Sequence, residues 1–510
     1  MSSAAIGKPS ADKLDSGVLK VAGVVVLGAI MAILDVTVVS VALPTFMQEF
    51  DATYATVAWT MTGYTLALAT VIPVTGWAAD RFGTKRLYLA SLVLFVGGSV
   101  LCSLAWDIGP LIAFRVLQGL GGGMLMPLGM TIMTRAAGPD RVGRVMAVLG
   151  VPMLLGPIGG PILGGWLIES QSWQWIFLIN VPIGIVAFIA ALKILPKDEP
   201  KPSESFDFLG MLLLSPGLAL FLYGASSIPE AGTVASAKVL VPGLIGLALI
   251  IGFVFHALGK EHALVDLSLF KNRNLTIAVV TMTLFSVAFM GSMLLLPSYF
   301  LQVRGEGTLD TGLLLIPNGL GAMLTMPIGG KLTDRFGPGK IVLIGIVIIS
   351  LGLGGYTQVA ADSSYVFLLG SLFVLGMGMG MTMMPIMSSA MASLTDHQIA
   401  RGSTMMNIVQ QVAGSIGTAT MSVILTNQVL NSQAATIYSA VIQGRVPAEQ
   451  MPPAPVLEQG RSALAEAFGS TYVVALVLVV LCLIPALFLP RKRIERAPDQ
   501  ENQPVLTGVH

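Results

Sequence analysis

Long apolar runs dominate the chain, and short clusters of charged residues, glycine, proline or asparagine separate them. Most runs hold about 20 residues, the length at which a helix crosses a hydrocarbon core of ~30 Å. Strands of an outer-membrane barrel are excluded, because they read as alternating segments of ~10 residues. The pattern predicts an all-α integral membrane protein with fourteen transmembrane helices, at 21–43, 54–77, 87–106, 109–133, 143–168, 175–195, 206–227, 239–258, 275–300, 311–332, 341–360, 365–387, 403–427 and 470–489.

Lysine and arginine are distributed unequally between the two sides of this topology. With the N-terminus inside, 23 of the 28 fall in inner loops and tails, four fall outside, and Arg115 lies within a span. Cytoplasmic loops carry such an excess, so we expect both termini in the cytoplasm of a multi-pass protein of the cell membrane. Residues 1–20 and 491–510 are then cytoplasmic tails, and the first span is a retained signal anchor.

The composition excludes several classes of function. Charged residues make up 11 % of the chain, against roughly 25 % in soluble proteins, which excludes a cytosolic enzyme or a secreted domain. A net charge of +1 gives no general attraction to nucleic acid. Two cysteines form no disulfide framework or cysteine-based zinc site, and no histidine has a helical i,i+4 partner, so no metal is expected. The chain lacks a GxxxxGK[ST] phosphate loop, so ATP hydrolysis is not its energy source.

The two halves of the chain share short segments at a nearly constant spacing. GWAADRFG at 76–83 recurs as GKLTDRFG at 330–337. One Leu-Pro pair and one Met-Pro pair also recur at similar offsets. This repeat predicts two six-helix bundles, at 21–200 and 261–490, joined by two linking helices within 201–260. Parallel repeats of this kind occur in secondary transporters, which bind their substrate between the halves.

Two charged residues lie deep inside predicted spans, Asp35 in the first and Arg115 in the fourth. A charge at that depth costs roughly 2.5–3.5 kcal/mol on insertion scales, so each needs water or a protein partner. Because desolvation disfavours the charged form, a carboxylate there can exchange a proton as its access to water changes. The alternatives are a static helix-packing hydrogen bond for Asp35 and static bonds from Arg115 to backbone carbonyls. Gln118 lies one turn from Arg115 and is expected to share its cavity.

Glycine and proline recur at four-residue spacing in the fifth span. Glycines at i, i+4 and i+8 form a smooth face that admits another helix, and prolines bend a helix. Small residues serve this purpose in many helix bundles, but the Gly-Pro doublets are more specific. The motif comprises Gly156, Pro157, Gly160, Pro161, Gly164 and Gly165.

These motifs resemble the major facilitator superfamily, and more narrowly its fourteen-helix drug/proton antiporters of the EmrB/QacA kind, over about residues 20–490. The resemblance implies that Asp35 and Arg115 couple transport to protons, and that the fifth-span motif marks an exporter. It also implies that the loop at 76–86 and its second copy form a conformational gate, beside their role in setting topology. The gate residues are Gly76, Asp80, Arg81, Gly83, Asp334, Arg335 and Gly337. Trp77 and Gln174 depart from the family pattern, which often has lysine and arginine there.

The twelfth span is rich in methionine, with GMGMGMTMMPIMSSAM at 376–391. Methionine is flexible and suits surfaces that accept varied ligands, although these side chains have an alternative role as filler between helices or toward lipid. The absence of a second deep carboxylate favours neutral, monocationic or lipid-like substrates. We expect the substrate cavity to include Trp59, Tyr64, Gln118, Met381, Met384, Asn407 and Gln411.

The sequence therefore predicts proton-driven export of small amphipathic or hydrophobic compounds by alternating access, with no cofactor besides the coupling proton. One alternative is a dedicated exporter of a single metabolite or lipid, and another is a non-transporting sensor on the same scaffold. An adaptor protein that extends the path across a second membrane is a candidate partner. The external segment 428–468 contains Pro452, Pro453 and Pro455 and is expected to be irregular.

Overall fold

The computed structural model describes residues 16–138, 141–197, 206–231, 233–260, 263–395, 398–442, 446 and 450–492, apart from a few side chains within helices. Helices form nearly all of these ranges, and no strand occurs in them. The helices are α1 (Ser16–Glu49), α2 (Tyr54–Phe82), α3 (Thr84–Ser103), α4 (Ile108–Ala137), α5 (Val142–Ser170), α6 (Trp175–Leu178), α7 (Asn180–Ile194), α8 (Phe208–Ser226), α9 (Ile228–Ala231), α10 (Ala237–Leu258), α11 (Arg273–Gln302), α12 (Thr308–Leu314), α13 (Ile316–Phe336), α14 (Pro338–Tyr356), α15 (Tyr365–Gly380), α16 (Met383–Ala392), α17 (Ile399–Leu430), α18 (Gln433–Ile442), α19 (Ala454–Leu481) and α20 (Leu483–Ala486).

Within the described part of the chain, thirteen helical segments are long and apolar enough to cross a membrane. The predicted span 143–168 falls on α5, a helix of 29 residues in which several side chains lie outside the described set. The predicted span 365–387 is broken at Met381 and Thr382, between α15 and α16. Every other predicted span overlaps one of the thirteen segments, so the all-helical architecture is confirmed.

The internal repeat reappears in the pattern of helix contacts. In the first half α1 packs on α5, α2 on α4, and α3 on α4. In the second half α11 packs on α17, α13 on α15, and α14 on α15, which is the same arrangement one repeat later. Between the halves, α2 meets α17 and α13 meets α5, again as a reciprocal pair.

The linking helices α8 and α10 form a close antiparallel hairpin beside the first half. Glycines permit the close approach, since a Cβ at Gly246 would collide with the backbone of Phe221. The hairpin is attached to α2, where Ser215 Oγ donates to Thr70 O over 2.7 Å and Trp59 stacks on Tyr223.

Asp207 joins the ends of this hairpin, outside the membrane-spanning segments. It caps α8 by accepting from Gly210 N, and it also accepts from Leu264 N, His256 Nε2 and Lys260 Nζ. Burial raises the pKa of Asp207, but the hydrogen bonds outweigh that effect and lower the pKa to about 2. The carboxylate therefore stays ionised at physiological pH, and the contribution of these bonds to stability is lost only as the pH falls toward 2.

The prediction of an irregular segment at 428–468 was wrong. Most of its described residues are helical, because α17 extends to Leu430, α18 follows, and α19 already begins at Ala454. Pro453 stands at the N-cap of α19, where its missing N–H costs no helical hydrogen bond. A close contact of Gly460 with Tyr438 packs α19 against α18.

Candidate functional site

A buried ion pair joins α1 to α4. Arg115 Nη1 lies 2.5 Å from Asp35 Oδ2, and both side chains are fully buried. The two charges that the sequence places in separate spans therefore neutralise each other inside the first bundle. Such a pair has to be satisfied by further hydrogen bonds, since both ions have left water.

Amide and hydroxyl groups complete the shell of Asp35. Gln118 Nε2 donates to Asp35 Oδ1 over 2.8 Å and to Ser99 Oγ over 2.7 Å, while its Oε1 accepts from Arg115 over 2.6 Å. Asn180 Nδ2 lies 3.3 Å from both Asp35 Oδ1 and Ser99 Oγ. The helices α1, α3, α4 and α7 thus meet at one polar centre. Sequence reasoning missed Ser99 and Asn180, although both are polar residues within apolar helices.

The remainder of the Arg115 guanidinium contacts α2. Its Nε donates to Thr60 O over 3.0 Å, and its Cζ lies 4.2 Å from the centroid of the Tyr64 ring, a cation–π contact. Among the residues that the structure describes, neither Arg115 Nη2 nor the buried Tyr64 hydroxyl has a hydrogen-bond partner. Tyr64 and Gln118, expected in the substrate cavity, thus belong to the shell of the ion pair.

The glycine face of α5 is packed against the helix that carries Asp35. A Cβ at Gly156 would collide with Ile33, one at Gly160 with Thr37, and one at Gly164 would lie 3.2 Å from Val38. Gly165 does not share this face, because a Cβ there would meet nothing within 4 Å. The side chains of Pro157 and Pro161 lie outside the described set. The smooth face predicted from the i, i+4, i+8 spacing therefore packs on α1, beside Asp35.

Gly160→Val is expected to force α5 away from α1 and to destabilise the protein by about 1–3 kcal/mol, the usual cost of overpacking. Gly165→Val introduces the same side chain five residues away into open space, so it is the matched control. Thermal unfolding of the two purified variants in detergent should show a lower midpoint for Gly160→Val alone. Equal midpoints for the two variants would contradict a tight α1–α5 contact.

Two aspartates join the halves at one end of the bundle, which we call the latch end. Asp80, near the end of α2, lies 3.5 Å from Arg401 of α17 and 3.9 Å from Arg135 of α4. Arg401 also lies 3.6 Å from Asp266. A Cβ at Gly76 would lie 3.1 Å from Thr404 Oγ1, so glycine lets α2 approach α17 closely.

The second aspartate makes the reciprocal contact. Asp334, near the end of α13, accepts from Gly143 N over 2.8 Å and from Arg144 N over 3.3 Å. Its carboxylate also lies 3.4 Å from Arg144 Nε. A carboxylate at the N-terminus of α5 satisfies backbone N–H groups that have no helical acceptor. Each copy of the repeated loop thus binds the opposite half of the chain.

The other residues of the repeated loops have simpler roles in the structure. Gly83 and Gly337 have φ values of 91° and 86°, which favour glycine at these turns. Arg81 is exposed, and Arg335 is exposed with its guanidinium over the Phe336 ring. Trp77, where the family often has lysine, packs on Phe206 at 4.4 Å between ring centroids. This departure therefore ties the loop to the segment before α8.

The remaining residues expected in the substrate cavity do not share a single cavity. Met384 is buried opposite Gly150 of α5, and Asn407 donates to Met130 Sδ of α4 over 3.3 Å, so both lie at the seam between the halves. Met381 is buried within the second half, beside α13 and α14. Trp59 lies against α8, and Gln411 is half-buried on α17.

The sequence was compared with models of known protein families. The Major Facilitator Superfamily model matches residues 25–418. The chain belongs to the Major Facilitator Superfamily.

Superfamily relatives are similar to most of the chain. It is 52 % identical over 502 residues to the Multidrug resistance protein B homolog of Mycobacterium tuberculosis, covering 96 % of this chain and 93 % of that protein. It is 31 % identical over 396 residues to the Multidrug export protein EmrB of Haemophilus influenzae, covering 77 % and 78 %. These similarities confirm the EmrB-like branch expected from the motifs, and superfamily membership makes the chain a transporter rather than an enzyme.

Two solved structures share the fold at low sequence identity. The human organic anion transporter MFSD10 (TETRAN) is 15 % identical, with a TM-score of 0.61 over 91 % of this chain and all of that chain. The proton:xylose symporter XylE is 14 % identical, with a TM-score of 0.54 over 92 % of this chain and 96 % of that chain. At these identities the comparison shows the fold alone.

Proposed function

We propose that the chain is a multidrug efflux transporter of the cytoplasmic membrane, which exports small amphipathic or hydrophobic compounds in exchange for protons. The observation that carries this proposal is the buried ion pair between Asp35 of α1 and Arg115 of α4. The glycine face of α5 packs on α1 beside this pair. The similarity to relatives named for multidrug resistance and export supports the same function. The excess of lysine and arginine at the latch end supports a cytoplasmic position for that end and for both termini.

The coupling reaction that we propose begins at Asp35. Arg115, Gln118 and Asn180 all donate to its carboxylate, so a proton that enters from the opposite, external side competes with these donors. Protonation removes the negative charge that holds Arg115 and frees the guanidinium to change partners. Moving one charge across 100 mV supplies about 2.3 kcal/mol, to which the pH difference adds.

The helix α5 is the physical connection between this site and the gate. Its middle packs on α1 beside Asp35, and its N-terminus is bound by Asp334 of the other half. A displacement of α1 on protonation is therefore transmitted to the contact that closes the latch end. These contacts close the latch end, and in the proposed cycle breaking both aspartate contacts opens the cytoplasmic path.

The substrate class follows from the small number of buried acidic groups. Among the described residues, Asp35 and Asp207 are the buried acids, and Asp207 lies outside the spans with four donors of its own. We therefore propose neutral, monocationic or lipid-like substrates, held after opening by apolar side chains such as Met384 at the seam. A dedicated exporter of one metabolite or lipid is the second candidate, and the breadth of accepted substrates separates the two.

Purified protein in proteoliposomes tests this function. An imposed pH gradient is expected to drive uptake or release of several structurally unrelated amphipathic compounds, in the direction opposite to proton flow, and a protonophore should abolish the effect. Acceptance of a single compound from a broad panel would favour the dedicated exporter. A flux that is the same with and without the pH gradient would reject the antiport mechanism.

A further inference from the structure

An apolar slot of about 450 Å³ lies between the linking hairpin and the second half of the protein. One wall is a stripe on α17 that includes Ile416, Ala419 and Val423, and the facing wall is a stripe on α10 that includes Leu240, Leu244 and Leu247. Both stripes follow the i, i+3/i+4, i+7 spacing of a single helix face. The α10 stripe rises for seven residues, so the slot is about 10 Å long.

The slot opens to the bilayer rather than to water. It lies in the half of the spans away from the latch end, near the end of α8 and the start of α10. Leu244 is 60 % exposed, and Leu240 and Leu247 are also exposed. Since α10 is a 22-residue apolar span, the medium around these side chains is hydrocarbon at this depth.

The chemistry of the slot selects an unsubstituted hydrocarbon. Among the described residues that line it, Thr420 is the one polar side chain, and its hydroxyl already donates to Ile416 O over 2.7 Å. Apart from the lone pairs of that hydroxyl, these side chains offer no donor, acceptor or charge to a polar group of a ligand, and burying an unpaired polar group is costly. An aromatic cation or a sugar therefore has no anchor in the slot, whereas an alkyl chain needs none.

We propose that this slot binds one acyl chain of a membrane phospholipid from the outer leaflet, with the headgroup remaining at the interface. Val239 of the hairpin and Ile228 of α9 make a small apolar contact with Ala419 of the second half, and the same three residues line the slot. The acyl chain fills the space beside that contact. The occupant then acts as packing between the hairpin, which is attached to α2, and α17, the helix that α2 meets at the seam. The alkyl tail of an amphipathic substrate shares this chemistry and is the competing source.

Photo-crosslinking tests the proposal in proteoliposomes that contain a trace of phosphatidylglycerol with a diazirine in one acyl chain. Gly243→Phe should fill the slot, because Gly243 lines it and a Cβ at this position meets nothing within 4 Å. Gly370→Phe, on α15, likewise enters open space and is the matched control. Peptides from α10 and α17 should be labelled in the parent and in the control, and labelling should fall at least about fivefold in Gly243→Phe.

Two results would overturn the proposal. One is equal labelling of α10 and α17 in the parent and in Gly243→Phe. The other is displacement of the label by dodecyltrimethylammonium, which would assign the slot to the tail of a substrate. Labelling that persists in the presence of this compound supports the lipid. Because the readout is binding alone, the result does not depend on proton-coupled export.

Discussion

Asp35→Asn is expected to abolish proton-driven export while leaving substrate exchange across the membrane in place. The amide has nearly the shape of the carboxylate, but it carries no charge and cannot take up a proton. Accumulation driven by an imposed pH gradient should therefore fall to the level of empty liposomes. Exchange of labelled for unlabelled substrate without a gradient should persist, because it requires alternating access but no net proton movement. This difference between the two assays separates a coupling role from a purely structural one.

The same substitution has a predictable cost in stability. Asparagine leaves the Arg115 guanidinium buried without its counter-charge, and removing one partner of a buried pair typically costs about 3–5 kcal/mol. Asp35→Asn combined with Arg115→Gln removes both charges together, so we expect its thermal midpoint to lie above that of the single variant. Coupled export should nevertheless remain absent in the double variant. Stability and coupling would thereby respond differently to the same pair of residues.

Asp310→Asn provides the matched control for the loss of a carboxylate. Asp310 is exposed in the first turn of α12, away from the polar centre, and should retain gradient-driven export close to that of the parent. Gradient-driven accumulation by Asp35→Asn at the parental rate would exclude Asp35 as the proton carrier. In that case the buried pair would be a static packing element of the first bundle.

The extent to which the sequence predicts this site depends on the kind of signal. Charges within apolar spans are rare, so Asp35 and Arg115 can each be recognised from the sequence alone. In the structure the two side chains form an ion pair. Asn180 and Ser99 were not distinguishable, because a neutral polar residue in a span often bonds its own helix and only the fold brings these two to Asp35. The contact of Tyr64 with Arg115 was not predictable for the same reason. Its ring faces a cation across a helix interface that periodicity does not define.

The fold shows a similar division. Spans and the repeat follow from hydropathy and from local identity, and both reappear in the helices and their contacts. The segment 428–468 was misjudged because its prolines suggested an irregular chain, whereas Pro453 starts a helix that hydropathy alone placed sixteen residues later. The methionines of α16 show what composition does not predict. Composition indicates an adaptable surface, but whether that surface is open or sealed depends on the conformation of the two halves.

Neutralising both latch aspartates is expected to open the end of the bundle that they hold. Asp80 and Asp334 act at separate contacts, so the effects of Asp80→Asn and Asp334→Asn should add. Partly exposed ion pairs contribute roughly 0.2–1 kcal/mol each, and a carboxylate at a helix N-terminus contributes a similar amount. A combined loss of about 1–2 kcal/mol changes the ratio of open to closed molecules by a factor of roughly 5–30.

A thiol introduced by Thr404→Cys reports this change, because Thr404 is buried against Gly76 when the latch end is closed. The two native cysteines are buried, so they contribute little background. Maleimide labelling of Thr404→Cys should be slow in the parent, about 5–30 times faster in the double aspartate variant, and intermediate in each single variant. Asp310→Asn, which removes a carboxylate elsewhere, should leave the rate unchanged. An unchanged rate in the double variant would mean that apolar packing between α2 and α17 holds this end closed, and that the repeated aspartates are not the gate.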